Sequence, residues 1–393
     1  MNVAAEGANA TTTSAGDPII PFGAPASAET VNSNALKFLR WARDNGLLAA
    51  DAYFPGDTVG HPDFGGEPVG QSAISVLRTR QIRFVTVDTA HNRISVFLKK
   101  TAPTVREMKV LPKYCDGTAL QYYQGSPETV SPTAVAEATS ACALHHVGAR
   151  FLYTCGSSIS VGNNREAGTL GCLVKDANGV LYGLTNNHVG AACSYAPFGL
   201  PILAPGIIDV TPTNPYPFTL GVHTRQLQLQ TGDPTSVDHT QNSDAAIFKI
   251  VAIDGISSMQ RNHYDTPTSV MDMVPGMSVE KVGRSTARKS GKVIGQIVGP
   301  SAVSYSAAQY GFAGAVYLEP LWVIHGVGDL FSEGGDSGSL VTHEDVNGVR
   351  HAVGIVVAGC GDTSAAGGKR TLVLPLRPIL DKLQVTLVSG HNV

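Results

Sequence analysis

From residue 150 onward, short runs of Val, Ile, Leu, Phe and Tyr alternate with clusters of Gly, Asn, Asp and Pro. The runs GTLGCLVKD, VLYGLTNN, DAAIFKI, GKVIGQIV, AVYLEPLWVI, GSLVTH and AVGIVVAG are each about one strand long and lie beside turn-forming residues. Regular short strands without helical patterns between them predict a sandwich or a barrel, not a β–α–β fold. One helical pattern closes the chain, Leu376 to Leu383 after Pro375. No internal repeat is visible.

The first part of the chain has another texture. Residues 1–30 are rich in Ala, Thr, Ser, Gly and Pro and predict a mobile tail, because too few large apolar groups offset chain entropy. Leu36, Leu39, Ala42, Leu47 and Leu48 give a helical spacing over 35–50, with Asn34 as its cap. IRFVTV and RISVFL, on either side of Thr89-Ala90-His91-Asn92, read as strands, and Ala119 to Tyr123 as a third. A small α+β domain over 31–148 follows, its linker being the Ser-, Pro- and Thr-rich stretch from Ser126 to Ala136. The barrel region is 149–393.

Composition narrows the function. The 393 residues are 43% hydrophobic, enough for a large core or several smaller ones. The formal charge of -3 carries no basic footprint for nucleic acid. No apolar run is long enough to span a membrane. The N-terminus lacks a basic start and an apolar core, so it does not read as a secretory signal, and a cytoplasmic location is expected. The six cysteines form no CxxC pair and read as buried thiols, although Cys142 and Cys155 could pair in an oxidising compartment. His145 and His146 are adjacent and would face opposite sides of a strand, so no metal site is expected there, and no cofactor is implied.

The strongest chemical signal is Glu333-Gly334-Gly335-Asp336-Ser337-Gly338-Ser339 before the apolar Leu340-Val341. Glycines on both sides of a serine let the backbone turn sharply and let a substrate carbonyl approach. The N–H groups of Gly335 and Ser337 would form an oxyanion hole. A glycine-rich hairpin would leave the same pattern, so the serine needs partners. A hydroxyl is a poor nucleophile until a base takes its proton. His188, at the end of VLYGLTNNHV, is the candidate base; a hydrogen-bonded structural histidine is the competing reading. Asp244, entering the strand AAIFKI, is the candidate that would fix the imidazole tautomer; a turn-capping aspartate is the alternative. Asp209, Asp233 and Asp238 lack an apolar strand directly after them.

Together the three occur in the order His, Asp, Ser, and here the chain resembles the chymotrypsin/trypsin superfamily of serine peptidases. GDSGS matches the nucleophile motif, LTNNHV the histidine motif and SDAAIFKI the aspartate motif. GTLGCLVKDANGVLYGLTNNHV and the tail LPLRPILDKLQVTLV narrow the resemblance to the narrow-leaf-type trypsin-like peptidases of plants and bacteria. RISVFLKKTAP to LPKYCDGTALQYYQG resembles the small domain that often precedes the peptidase in that group. The resemblance implies a mainly β, chymotrypsin-like double β-barrel with a small N-terminal α+β domain. It implies a triad of His188, Asp244 and Ser337. It implies a substrate-binding strand at Val357, Ala358 and Gly359, which would take an extended peptide as an added strand. Lys281 to Thr286 resembles the opening of the second barrel in bacterial members, which implies an Arg284–Asp336 pair supporting the oxyanion loop; a surface arginine is the alternative. The position that floors the specificity pocket falls on Phe331, so nothing there attracts Lys or Arg.

The expected function is a serine endopeptidase of narrow, regulated specificity, acting on protein or peptide substrates. A regulatory or homo-oligomeric partner would dock through the N-terminal domain. A latent or inactive peptide-binding scaffold on the same fold is the alternative. An esterase is disfavoured, since the G-x-S-x-G elbow and its β–α–β setting are absent.

Overall fold

The computed structural model describes residues 27–393 except 54–55, 57–59, 67, 131–143, 163 and 212–216. Its strands build the double-barrel architecture, and the site lies where the two barrels meet.

In the first barrel, Leu181–Thr185 pairs antiparallel with Cys172–Lys175 on one edge and with Ala246–Ile250 on the other. Phe218–Gln226, Pro201–Ala204, Ser158–Val161 and Gly168–Thr169 continue the sheet. Leu173, Ile202, Leu220, Phe248 and Ile250 fill the interior. Gly183 admits the Phe248 ring, since a Cβ there would stand 2.3 Å from it.

The second barrel closes on itself. Its circuit runs Ser278–Gly283, Leu340–Glu344, Arg350–Gly361, Lys369–Pro375, Trp322–Gly326 and Ala287–Ile297, and returns to Ser278–Gly283. A hairpin of Ser301–Ala307 and Phe312–Leu318 leans over the cleft between the barrels. The closing helix is Leu376–Leu383, as expected. It buries Leu376, Ile379, Leu380 and Leu383, a helical stripe set against Leu340, Ile355 and Leu374.

The N-terminal α+β unit packs Ala28–Asp44 and Gln71–Arg80 on the strands Ile82–Asp88, Arg93–Leu98 and Thr118–Gln124. Its sheet is continuous with the second barrel, because Thr86 and Val87 pair with Ile297 and Gln296. The first helix starts earlier than its apolar spacing predicts. Ser27 caps it by accepting from the Thr30 N–H, so residues 27–30 are its cap and first turn. Asn34 is not the cap: it is buried within the helix, and its amide donates to Thr118 Oγ1 at 2.9 Å. The helix Gln71–Arg80 was not anticipated, having only Ala73, Ile74 and Leu77 as its buried stripe. The rest of the expected tail, residues 1–26, lies outside the described residues. Of the expected linker, Ser126–Pro127 and Thr129–Val130 are paired strand, and 131–136 lie outside the described residues. The five described cysteines are buried, unbridged thiols; Cys142 is outside the described residues. Among the described residues, no helix is long and apolar enough to cross a membrane.

Candidate active site

Strand register brings His188 and Asp244 together. Thr185 lies opposite Ala246, so the chain after one and the chain before the other leave the sheet at the same end. His188 then sits on the short turn of helix Asn187–Gly190. Its backbone N–H donates to Asp244 Oδ1 at 2.9 Å, and its ring Nδ1 lies 2.6 Å from Oδ2. A carboxylate only accepts, so Nδ1 carries a proton, and in the neutral ring Nε2 is then the acceptor. Nε2 is buried without a hydrogen-bond partner. The Asn186 amide donates to the Asp244 carbonyl at 2.7 Å and holds this corner. Tyr305, from the overhanging hairpin, donates its hydroxyl to Asp244 Oδ2 at 3.0 Å. Burial and then the Asp244 charge push the phenol well above its usual pKa, so it remains a donor.

Ser337 lies across the cleft on the second barrel, in a loop fixed through its carbonyls. Ser285 Oγ donates to Gly334 O at 2.6 Å, and Ser339 N–H and Oγ both donate to Asp336 O. The carbonyl and N–H of a trans peptide point in opposite directions. Fixing these two carbonyls therefore turns the Gly335 and Ser337 N–H groups away from the loop's own partners. Neither N–H donates to another backbone group among the described residues, whereas those of Asp336, Gly338 and Ser339 do. Gly335 has φ +93°, and a Cβ on it would stand 2.1 Å from Arg284 Nη1, so only glycine fits.

Thr169, the threonine of GTLG, joins the barrels at this point. Its N–H donates to Ser337 O at 2.8 Å and its hydroxyl to Gly335 O at 2.9 Å. Thr185 in turn donates to Thr169 O at 2.7 Å. The Ser337 loop and the strand leading to His188 are thus linked through one residue.

Asp336 is fully buried, but its partner differs from the expected one. Lys281 Nζ lies 2.8 Å from Asp336 Oδ2, and both side chains are fully buried. The carboxylate also accepts from Ser285 N–H, Thr286 N–H, Thr286 Oγ1 and Glu333 N–H. Burial works against the charge, yet the Lys281 ammonium and these donors outweigh it and hold the carboxyl below the usual Asp range. The expected Arg284–Asp336 pair is not formed. The strand Ser278–Gly283 ends before Arg284, whose guanidinium turns to Asp209 and grips both carboxylate oxygens through Nε and Nη2. Arg284 still touches the loop, with Nη1 donating to Ser285 Oγ at 3.0 Å.

Val357, Ala358 and Gly359 lie on the strand Arg350–Gly361, bonded on one edge to Lys369–Pro375. Val357 is 0% and Ala358 9% exposed. Phe331 is a core residue, packed with Met277, Val293, Ile324 and Val341. Beside it the hydroxyls of Ser332 and Thr371 meet at 2.6 Å. An open cavity of about 690 Å³ lies between Tyr195, Phe198, Gln226–Thr231 and Phe312. It borders the histidine turn through the Asn187 amide, which donates to Ser194 Oγ and Leu227 O. Glu166 is half-buried nearby. Burial raises its pKa, against the opposing effects of Asn164 and His188. Among the described residues, no group of three or more His, Cys, Asp and Glu is placed to hold a metal ion.

Sequence reasoning missed Tyr305, Lys281 and Thr169. The last two lay within motifs it had singled out, KVGRST and GTLG, and were passed over for their neighbours. Tyr305 carried no local signal.

No family model matches the chain, and no curated protein matches it significantly. Among solved structures the chain is similar to Protease A of Thermobifida fusca, at 19% identity over 60% of this chain and 98% of that one, with a TM-score of 0.40. It is also similar to a Nocardiopsis protease, at 19% identity over 60% and 97% with a TM-score of 0.39. A Cellulomonas bogoriensis chymotrypsin matches at 18% identity over 60% and 98%, with a TM-score of 0.37.

Proposed function

We propose that this chain is a serine endopeptidase working through an acyl-enzyme. The observation that carries the reading is the His188–Asp244 contact, which leaves Nε2 free to accept, in a cleft shared with a loop whose Gly335 and Ser337 N–H groups are unspent. In the proposed reaction His188 Nε2 takes the Ser337 proton as Oγ attacks a peptide carbonyl. The two N–H groups stabilise the oxyanion. The imidazolium is held by Asp244, and it protonates the leaving amine as the C–N bond breaks. Water then attacks the ester, losing its proton to His188, and Ser337 recovers its own. The substrate class is an extended polypeptide, since a strand edge reads backbone. Nothing at Phe331 selects a basic side chain. The five cysteines among the described residues, all unbridged, support a reducing, cytoplasmic setting.

A fluorophosphonate probe with intact-mass readout tests the reading. One adduct is expected on the parent and none on Ser337→Ala, with turnover of any peptide substrate falling on the order of 10⁶-fold in the variant. An unlabelled parent protein overturns it.

A further inference from the structure

We propose that Ser126–Val130 lies along the protein's own substrate edge, in the place and direction of the acyl half of a peptide substrate, so that the folded chain is self-occupied. The proposal rests on the serine-peptidase reading above and specifies how that site is regulated.

The register is the first observation. Pro127 pairs with Cys360 and Ser126 with Gly361, antiparallel. These positions directly follow Val357–Gly359 on the same strand. The next residue, Glu128, reaches Gly359: a Cβ placed on that glycine would stand 3.0 Å from Glu128 Oε2. Glu128 is also held by Lys369 at 3.5 Å, from the adjoining strand. The segment therefore advances along the edge from Gly361 toward Val357.

The second observation is where it goes next. Thr129 and Val130 pair with Ser304 and Tyr305 of the overhanging hairpin. Val130 packs on the cluster that contains Tyr305, Cys193, Val357 and Ala358. Tyr305 is the residue bonded to Asp244, and its ring centroid lies 5.5 Å from that of His188. The segment thus enters at the far end of the edge and finishes against the hairpin strand whose Tyr305 reaches Asp244. A substrate must do the same, because the residues preceding its scissile carbonyl have to deliver that carbonyl to Ser337.

The third observation is burial. Val357 and Ala358 are buried and belong to the core cluster on which Val130 packs. An incoming polypeptide must first displace the segment, and its apparent affinity falls by the fraction of molecules in which the edge is open. A small reagent that needs only Ser337 and the oxyanion hole carries no such requirement.

Thr129→Pro tests this at an exposed residue of the paired segment, since proline is disfavoured within a paired strand. In a Ser337→Ala background, a fluorescein-labelled Ser-Pro-Glu-Thr-Val peptide is titrated by anisotropy against chains with and without Thr129→Pro. Circular dichroism checks the fold, and Val130→Asp serves as an independent second variant. The displaced variants should bind the peptide about tenfold tighter or more. Equal affinity in all chains, or no binding to any, overturns the proposal. Separately, fluorophosphonate labelling of chains that keep Ser337 should proceed at the same rate with and without Thr129→Pro. If no chain labels while the peptide still binds the variants more tightly, the peptidase reading falls and the self-occupied edge stands.

Discussion

Two buried carboxylates lie on opposite barrels, and they are served differently. Asp244, on the first barrel, receives a backbone N–H, an imidazole and a phenol. Asp336, on the second, receives the Lys281 ammonium, whose own pKa burial lowers, together with a hydroxyl and backbone N–H groups. A carboxylate that must stabilise a cation formed during a reaction cannot already be neutralised by a permanent one. A carboxylate that only holds a loop in shape has no such constraint, and a standing ion pair suits it. The contrast fits the proposed roles, a changing charge at the first and a fixed geometry at the second.

The sharpest way to break the contrast is Asp244→Asn. An amide at that position can donate to Nδ1, which favours the wrong tautomer, and kcat on a peptide substrate should fall about 10⁴-fold with the fold intact. A fall no larger than that of a mild packing variant would remove Asp244 from its role. Lys281→Met should act through stability first. It leaves a buried carboxylate without its cation, which costs about 3–5 kcal/mol in urea unfolding. It should also slow fluorophosphonate labelling, because the oxyanion loop loses its anchor. The sign of the pH dependence follows from the depressed Asp336 pKa. The stabilisation is fully present above the unfolded carboxyl's value, 3.8, and is lost as pH falls through the lower folded value. In Lys281→Met the loss should move to higher pH, read as the unfolding midpoint against pH. Tyr305→Phe should have the smallest effect. Removing one hydrogen bond to a charged acceptor costs about 1.5–3 kcal/mol, and acylation should slow at least tenfold with little change in substrate KM. An equal loss on Asp244→Asn and Tyr305→Phe would mean that the phenol matters as much as the imidazole contact.

Local pattern carried much of this. The strands of the second half and the closing helix follow from apolar runs and turn residues, and Leu376–Leu383 matches to the residue. His188 and Asp244 were legible because each borders a strand whose register brings the two ends together. What failed was choice among neighbours. Lys281 and Arg284 stand three apart in one motif, both fully buried, and each is bound to an aspartate distant in sequence. Only the place where the strand ends decides which cation faces which carboxylate. Tyr305 sits in a hairpin whose own sequence gives no reason for a phenol. Ser126–Val130 looked like linker because Ser, Pro and Thr dominate it, and its pairing partners lie far away along the chain.

The strand Ala287–Ile297 has a practical consequence. On one edge it serves Ser278–Gly283 over its first half and Ile82–Asp88 at its end, while Trp322–Gly326 covers the other edge. The Val298 N–H, just beyond it, donates to Val85 O at 3.0 Å. Cutting the chain at the apparent start of the barrels would therefore uncover a row of unpaired backbone groups beside Ile297 and Val298. Such an edge is a template for a second molecule. A truncated barrel half should self-associate or precipitate when expressed alone, and the N-terminal unit is in this sense a solubilising cover for the barrel it accompanies.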